Sequence, residues 1–161
     1  MILESFQSYI FHGQVMAAAH LPGEYEIEED DLGVLLKGKE WRTIDVAYLD
    51  ANEDDYLLMS APAVVAFLGA WLWRAVDNWG SRRNQILYFL VSSLRYFGGK
   101  PPDKGGLWAT QFRLLSQEQR STILHLLECA ADIESSSERK EEILGALKNV
   151  RDNLDGWPRS G

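Results

Sequence analysis

The 161-residue chain is poor in the residues that build covalent and metal-centred sites, with one cysteine and three histidines. A single cysteine excludes an intrachain disulfide, which is typical of a reducing compartment and leads us to expect a cytoplasmic protein. Zinc sites need three or four protein ligands. His125 and Cys129, four residues apart in one predicted helix, supply only two. We therefore predict no metal and no cofactor.

The chain also lacks the motifs that bind phosphate, nucleic acid or lipid. Gly98-Gly99-Lys100 does not have the spacing of a P-loop, and no basic stripe with interleaved aromatic residues is present. The uncharged stretch from Leu57 to Trp73 has a length at the lower limit for a membrane span, but Pro62 and Gly69 interrupt it. We expect a buried central helix there, with no nucleic-acid or membrane partner.

No arrangement of histidine, cysteine and acidic residues has a spacing that indicates nucleophilic or acid–base catalysis. We therefore predict no catalytic residue and no enzymatic activity. An enzyme of unrecognised type is kept as an alternative, since acidic residues can supply a general acid and a general base.

The hydrophobic spacing predicts an all-α fold: a single domain over residues 1–161, a bundle of about five to seven helices around a buried central helix. The first helix should run from Ile2 to Phe11. Thr43 should cap a short helix, and Ser60 should cap the central one. Ser116 opens a capping-box pattern.

Two tryptophans of the central helix, Trp71 and Trp73, lie about 200° apart around its axis, which predicts core packing on two sides. Trp41, Trp108 and Trp157 lie in or beside predicted loops. We expect these three to anchor loops onto the core.

Negative charge is concentrated in the first third of the chain. Residues 1–59 carry a net charge of −10, and residues 60–161 carry +2. The acids form two clusters, which we predict to bind a partner: Glu24, Glu26, Glu28, Glu29, Asp30 and Asp31, then Asp50, Glu53, Asp54 and Asp55. Such a field repels nucleic acid and attracts a basic protein surface.

Three stretches follow one another in a characteristic order, namely Lys37-Gly38-Lys39-Glu40-Trp41, Leu57 to Trp73 with Ser60-Ala61-Pro62, and Leu115-Ser116-Gln117-Glu118-Gln119-Arg120. Through these stretches the chain resembles an uncharacterised bacterial family of unknown function over about residues 1–134. The resemblance implies a bacterial helical protein and supplies no catalytic residue.

Small size, acidity and the lack of an active-site signature together favour a protein-binding module. We expect an immunity-type inhibitor that neutralises a cognate bacterial toxin, because many toxins that act on nucleic acid are basic and would be steered onto an acidic surface. A housekeeping scaffold acting through a tryptophan-rich surface is the other alternative, beside the enzyme.

Overall fold

The computed structural model describes residues 2–13, 15, 32–79, 84–95 and 114–153. Within these ranges the chain is helical and contains no β-strand, which confirms the predicted all-α bundle. The helices are α1 (Ile2–Ser5), α2 (residues 32–36), α3 (Val46–Ala51), α4 (Ala61–Asp77), α5 (Gln85–Arg95), α6 (Gln117–Ile133) and α7 (Ser137–Asn153). Short 3-10 helices occupy Trp41–Thr43 and Asp55–Leu58.

The central helix α4 is buried around most of its circumference, as its uncharged sequence predicted. It begins where predicted, because the Ser60 hydroxyl accepts a hydrogen bond from the Ala63 amide and Pro62 occupies its first turn. Every residue from Ala66 to Leu72 is buried, and these seven consecutive residues cover all sides of the helix. None of the helices in the described ranges is long and apolar enough to cross a membrane.

Three amphipathic helices complete the core around α4. The helix α5 packs against α4 and α7, and α6 packs against α7 and α1. The capping box at the start of α6 is confirmed, since the Ser116 hydroxyl and the Gln119 side chain each bond the other residue's backbone amide. The buried Gln119 also donates to the Val65 carbonyl of α4 at 3.5 Å, which ties α6 to the central helix.

The N-terminal helix is shorter than predicted, because α1 ends at Ser5 and not at Phe11. The Phe6 carbonyl, which a longer helix would need, accepts instead from the Trp41 indole nitrogen at 2.9 Å. Phe11 exchanges backbone hydrogen bonds with Lys39 and Gly38 at 3.2 Å each. Tertiary pairing with residues 38–41 has therefore replaced helical pairing.

This early end divides the apolar face predicted for the first helix. Ile2 and Phe6 lie in the core, whereas Tyr9 and Ile10 are exposed. Leu3 is exposed as well, because α1 is a single turn with one buried side.

The cap of α3 also differs from the prediction. Asp45, not Thr43, caps this helix, and its carboxylate accepts from the Ala47 amide at 2.8 Å. Thr43 ends the preceding 3-10 helix and donates its hydroxyl to the Glu40 carbonyl. The short 3-10 turn places the start of α3 two residues later than the periodicity indicated.

Candidate functional site

The four acids of the second cluster lie together between α3 and α4, and we call Asp50, Glu53, Asp54 and Asp55 the acidic surface. Asp50 is on α3, Glu53 and Asp54 form the following turn, and Asp55 begins the second 3-10 helix. The six acids of the first cluster, Glu24 to Asp31, lie outside the described residues. That the two clusters form one docking surface therefore stays a prediction.

Hydrogen bonds from the core fix the backbone beneath the acidic surface. The buried Trp71 donates its indole hydrogen to the Asn52 carbonyl at 3.0 Å. The Asn52 side chain donates to the Tyr48 carbonyl of α3 at 3.0 Å. Tyr56, whose ring packs edge-on against Trp71, holds the other end of the turn in the core. The acidic turn is thus presented by a rigid base.

Asp50 is engaged by a cation within the fold. The Arg74 guanidinium of α4 binds its carboxylate through two nitrogens at 2.7 Å each, and the same guanidinium bonds Asp77. Hydrogen bonds from Arg74 hold the pKa of Asp50 below its ordinary value, and the positive charge of Arg74 adds to the effect. Two-nitrogen contacts of this kind orient both partners strongly. Asp50 therefore joins α3 to α4.

Asp55 is also engaged, because its carboxylate accepts a hydrogen bond from the Tyr48 hydroxyl. Glu53 and Asp54 have no ion-pair partner among the residues that the structure describes. Burial raises the pKa of Glu53 above its ordinary value, and the negative charges of Asp50 and Asp54 raise it further. Charge available to a partner is therefore concentrated on Glu53 and Asp54.

Apolar side chains are exposed on α4 next to this charge network. Trp73 and Val76 are 38% and 42% exposed, and with Asp77 they share one helical face at spacings of three and four residues. The prediction that both Trp71 and Trp73 pack in the core was wrong for Trp73, because after Leu72 only Ala75 of α4 is buried. Trp71 is fully buried, as predicted.

The remaining predicted anchors have mixed outcomes. Trp41 is buried and its hydrogen bond to the Phe6 carbonyl joins the first 3-10 helix to the N-terminal segment, as predicted. The Arg42 guanidinium stacks over the Trp41 ring at 5.3 Å from its centre. Trp108 and Trp157 lie outside the described residues.

A groove of about 670 Å³ lies where α5, the end of α6 and the start of α7 meet. No pattern in the sequence indicated this groove. Tyr88 and Ile133, 54% and 57% exposed, stand on its two sides, and Trp79 after α4 closes one end. The spacing of Ile133 from the buried Leu126 and Ala130 places it near the buried face of α6, but it is exposed at the last residue of this helix.

His125 and Cys129 do share a face of α6. The Cys129 sulfur lies 3.7 Å from the His125 Nε2 atom, and the His125 Nδ1 atom lies 3.6 Å from the Glu128 carboxylate. Glu128 in turn pairs with Arg151 of α7. No group of three or more metal-ligating side chains occurs among the residues described. The two contacts of His125 lie within α6, and the Glu128–Arg151 pair joins α6 to α7.

No protein-family model, curated protein or solved structure matches this chain. The resemblance to an uncharacterised bacterial family, and the functional hypotheses drawn from the sequence, therefore stay predictions.

Proposed function

We propose that this chain is a protein-binding module that docks the basic surface of a partner protein on the acidic surface. More specifically, we propose that the protein is an immunity-type inhibitor that neutralises a cognate bacterial toxin by direct binding. The partner is a protein with clustered lysine and arginine residues, and binding requires no cofactor.

One observation carries the proposal: Glu53 and Asp54 are held close to Asp50 without a compensating cation among the described residues. Burial is the main cause of the raised pKa of Glu53, and repulsion from the negative charges of Asp50 and Asp54 raises it further. A lysine or arginine from a partner would relieve this repulsion, so the ionised form would gain more from binding than an isolated carboxylate would. The rigid turn beneath these residues lowers the entropy cost of that contact.

The exposed Trp73 and Val76 add the apolar component that protein interfaces combine with charge. Tryptophan is enriched among the residues that dominate binding energy, and rim charges mainly set association rate and partner choice. Arg74 connects the two features, since it bonds both Asp50 of the acidic surface and Asp77 beside Trp73. A partner covering both would contact α4 and the turn after α3.

The test uses the protein encoded by the adjacent gene as the candidate partner, with affinity measured by isothermal titration calorimetry. Charge reversal by Glu53→Lys with Asp54→Lys should raise Kd at least about tenfold, because close charge pairs at interfaces are typically coupled by more than a kilocalorie per mole. Raising the salt concentration should weaken the wild-type complex and reduce the difference in Kd between the wild type and the double variant.

The matched control is Asp132→Lys with Glu141→Lys, which changes net charge equally at two exposed positions on α6 and α7. This variant should keep Kd within about threefold of wild type, because a general field effect is screened over a Debye length. Absence of any complex, or equal weakening by both double variants, would contradict the proposal. Unchanged circular dichroism would show that every variant is folded.

A further inference from the structure

The groove between α5 and the α6–α7 connection combines an apolar floor with an acidic side. Val91, Ala130 and Ile143 form the buried floor, and the exposed rings and chains of Tyr88 and Ile133 form the lips. The Tyr88 ring is held in place by an edge-on contact with Phe89 at 5.7 Å. Singly exposed apolar residues are ordinary on protein surfaces. Here two such residues, Tyr88 and Ile133, line the same groove.

The charged residues that line the groove are three glutamates and one arginine, namely Glu134, Glu138, Glu142 and Arg139. Glu142 pairs with Arg95 of α5 at 3.5 Å, and Glu134 accepts from the Ser136 amide at 2.8 Å. Glu138 has no ion-pair partner among the described residues. Carboxylates therefore outnumber cations along this side, although the chain from residue 60 onward is slightly basic overall.

From this complementarity we propose that the groove binds a basic amphipathic helix of a partner protein. The apolar face of that helix would lie between Tyr88 and Ile133, and its lysine or arginine residues would face Glu138. In helix-in-groove recognition an amphipathic helix lays its apolar face into an apolar groove, and complementary charges around the groove favour one partner over others.

This second docking surface is independent of the acidic surface. It is formed by α5, α6 and α7, whereas the acidic surface is formed by the turn after α3. Failure of one proposal therefore leaves the other intact, and the variant Glu53→Lys with Asp54→Lys distinguishes the two surfaces.

The test measures fluorescence anisotropy of a labelled model peptide with the full-length chain. The peptide has about 15 residues, with leucine on one helical face and lysine on the other. A scrambled peptide of the same composition should bind at least about tenfold more weakly, because it cannot present one apolar face. Tyr88→Lys with Ile133→Lys should weaken binding of the amphipathic peptide at least about tenfold.

Two sets of control variants distinguish binding in the groove from non-specific attraction of the basic peptide to an acidic chain. Leu3→Lys with Val34→Lys makes the same chemical change at exposed positions elsewhere and should leave Kd within about threefold. Glu138→Gln should weaken binding more than Glu141→Gln, since Glu141 lies on the same helix but does not line the groove. Circular dichroism and thermal unfolding confirm that each variant is folded.

Three outcomes would overturn the inference. The first is equal binding by the groove variant and the Leu3/Val34 control. The second is loss of peptide binding in Glu53→Lys with Asp54→Lys but not in the groove variant, which would assign the peptide to the acidic surface. The third is a wild-type dimer in sedimentation equilibrium that Tyr88→Lys converts to a monomer, because a second copy would then occupy the groove.

Discussion

Gly69 of the central helix is the position where a single methyl group should test the packing most severely. A Cβ atom built there would lie 2.9 Å from the Phe6 Cβ atom and 3.1 Å from the Trp41 Cε2 atom. Favourable carbon–carbon contacts lie at roughly 3.5–4.0 Å, so both distances are repulsive. Neither neighbour can yield easily, because the Trp41 indole donates to the Phe6 carbonyl and holds the two residues together.

Two opposing effects decide the outcome of Gly69→Ala. Alanine is favoured over glycine inside a helix by about 1 kcal/mol. Overpacking of a dense core costs about 1–3 kcal/mol, and the rigid Phe6 and Trp41 neighbours place this site near the upper end. We therefore expect a net loss of about 1–2 kcal/mol in the free energy of unfolding, since the overpacking cost exceeds the gain in helix propensity.

Gly145 supplies the matched control because it is exposed inside α7 and a Cβ atom there would meet nothing within 4 Å. Gly145→Ala should raise the free energy of unfolding by about 0.5–1 kcal/mol, as the helix-propensity gain is then unopposed. Urea denaturation followed by circular dichroism gives the free energy of unfolding of both variants. In a thermal melt, a change of 1 kcal/mol in this free energy corresponds to about 2–4 °C in Tm. A Gly69→Ala protein as stable as the Gly145→Ala protein would refute the close approach of Phe6 and Trp41 to α4.

Three further predictions concern caps, buried polar groups and pH. Ser116→Ala should lower the free energy of unfolding by about 1 kcal/mol in urea denaturation, because α6 loses its capping box. Tyr56→Phe should change the free energy of unfolding by no more than about 1 kcal/mol in the same assay, since Ser93 is the one side-chain partner of the buried Tyr56 hydroxyl among the described residues. Asp50 has a lowered pKa in the folded state, so its contribution to stability is present above its ordinary pKa and is lost as pH falls through the lowered value. Asp50→Asn should therefore show a shallower loss of stability on acidification in thermal melts at a series of pH values, and an unchanged slope would contradict the Arg74 contact.

The long helices could be predicted because local sequence determines them. Ser60 with Pro62, and Ser116 with Gln119, fix where α4 and α6 begin through contacts within one turn. The N-terminal helix was mispredicted because a contact between distant residues, Trp41 and Phe6, ended it. Hydrophobic periodicity carries no information about such a partner.

The candidate surfaces were predicted less completely for the same reason. The acids at 50–55 were visible in the sequence as a cluster. The sequence did not show that Arg74 binds Asp50 and that Tyr48 binds Asp55, because these contacts depend on how the elements pack. The groove was not visible at all, because its lips, Tyr88 and Ile133, come from helices 45 residues apart in sequence.

The most direct test of the proposed function is the association rate with the adjacent-gene product, measured by stopped-flow fluorescence at low and high salt. If the acidic surface steers a basic partner, Glu53→Lys with Asp54→Lys should slow association at least about tenfold at low salt and have little effect at high salt. Asp132→Lys with Glu141→Lys should have a much smaller effect at both. An association rate that is insensitive to salt, or that both double variants slow equally, would contradict docking at the acidic surface.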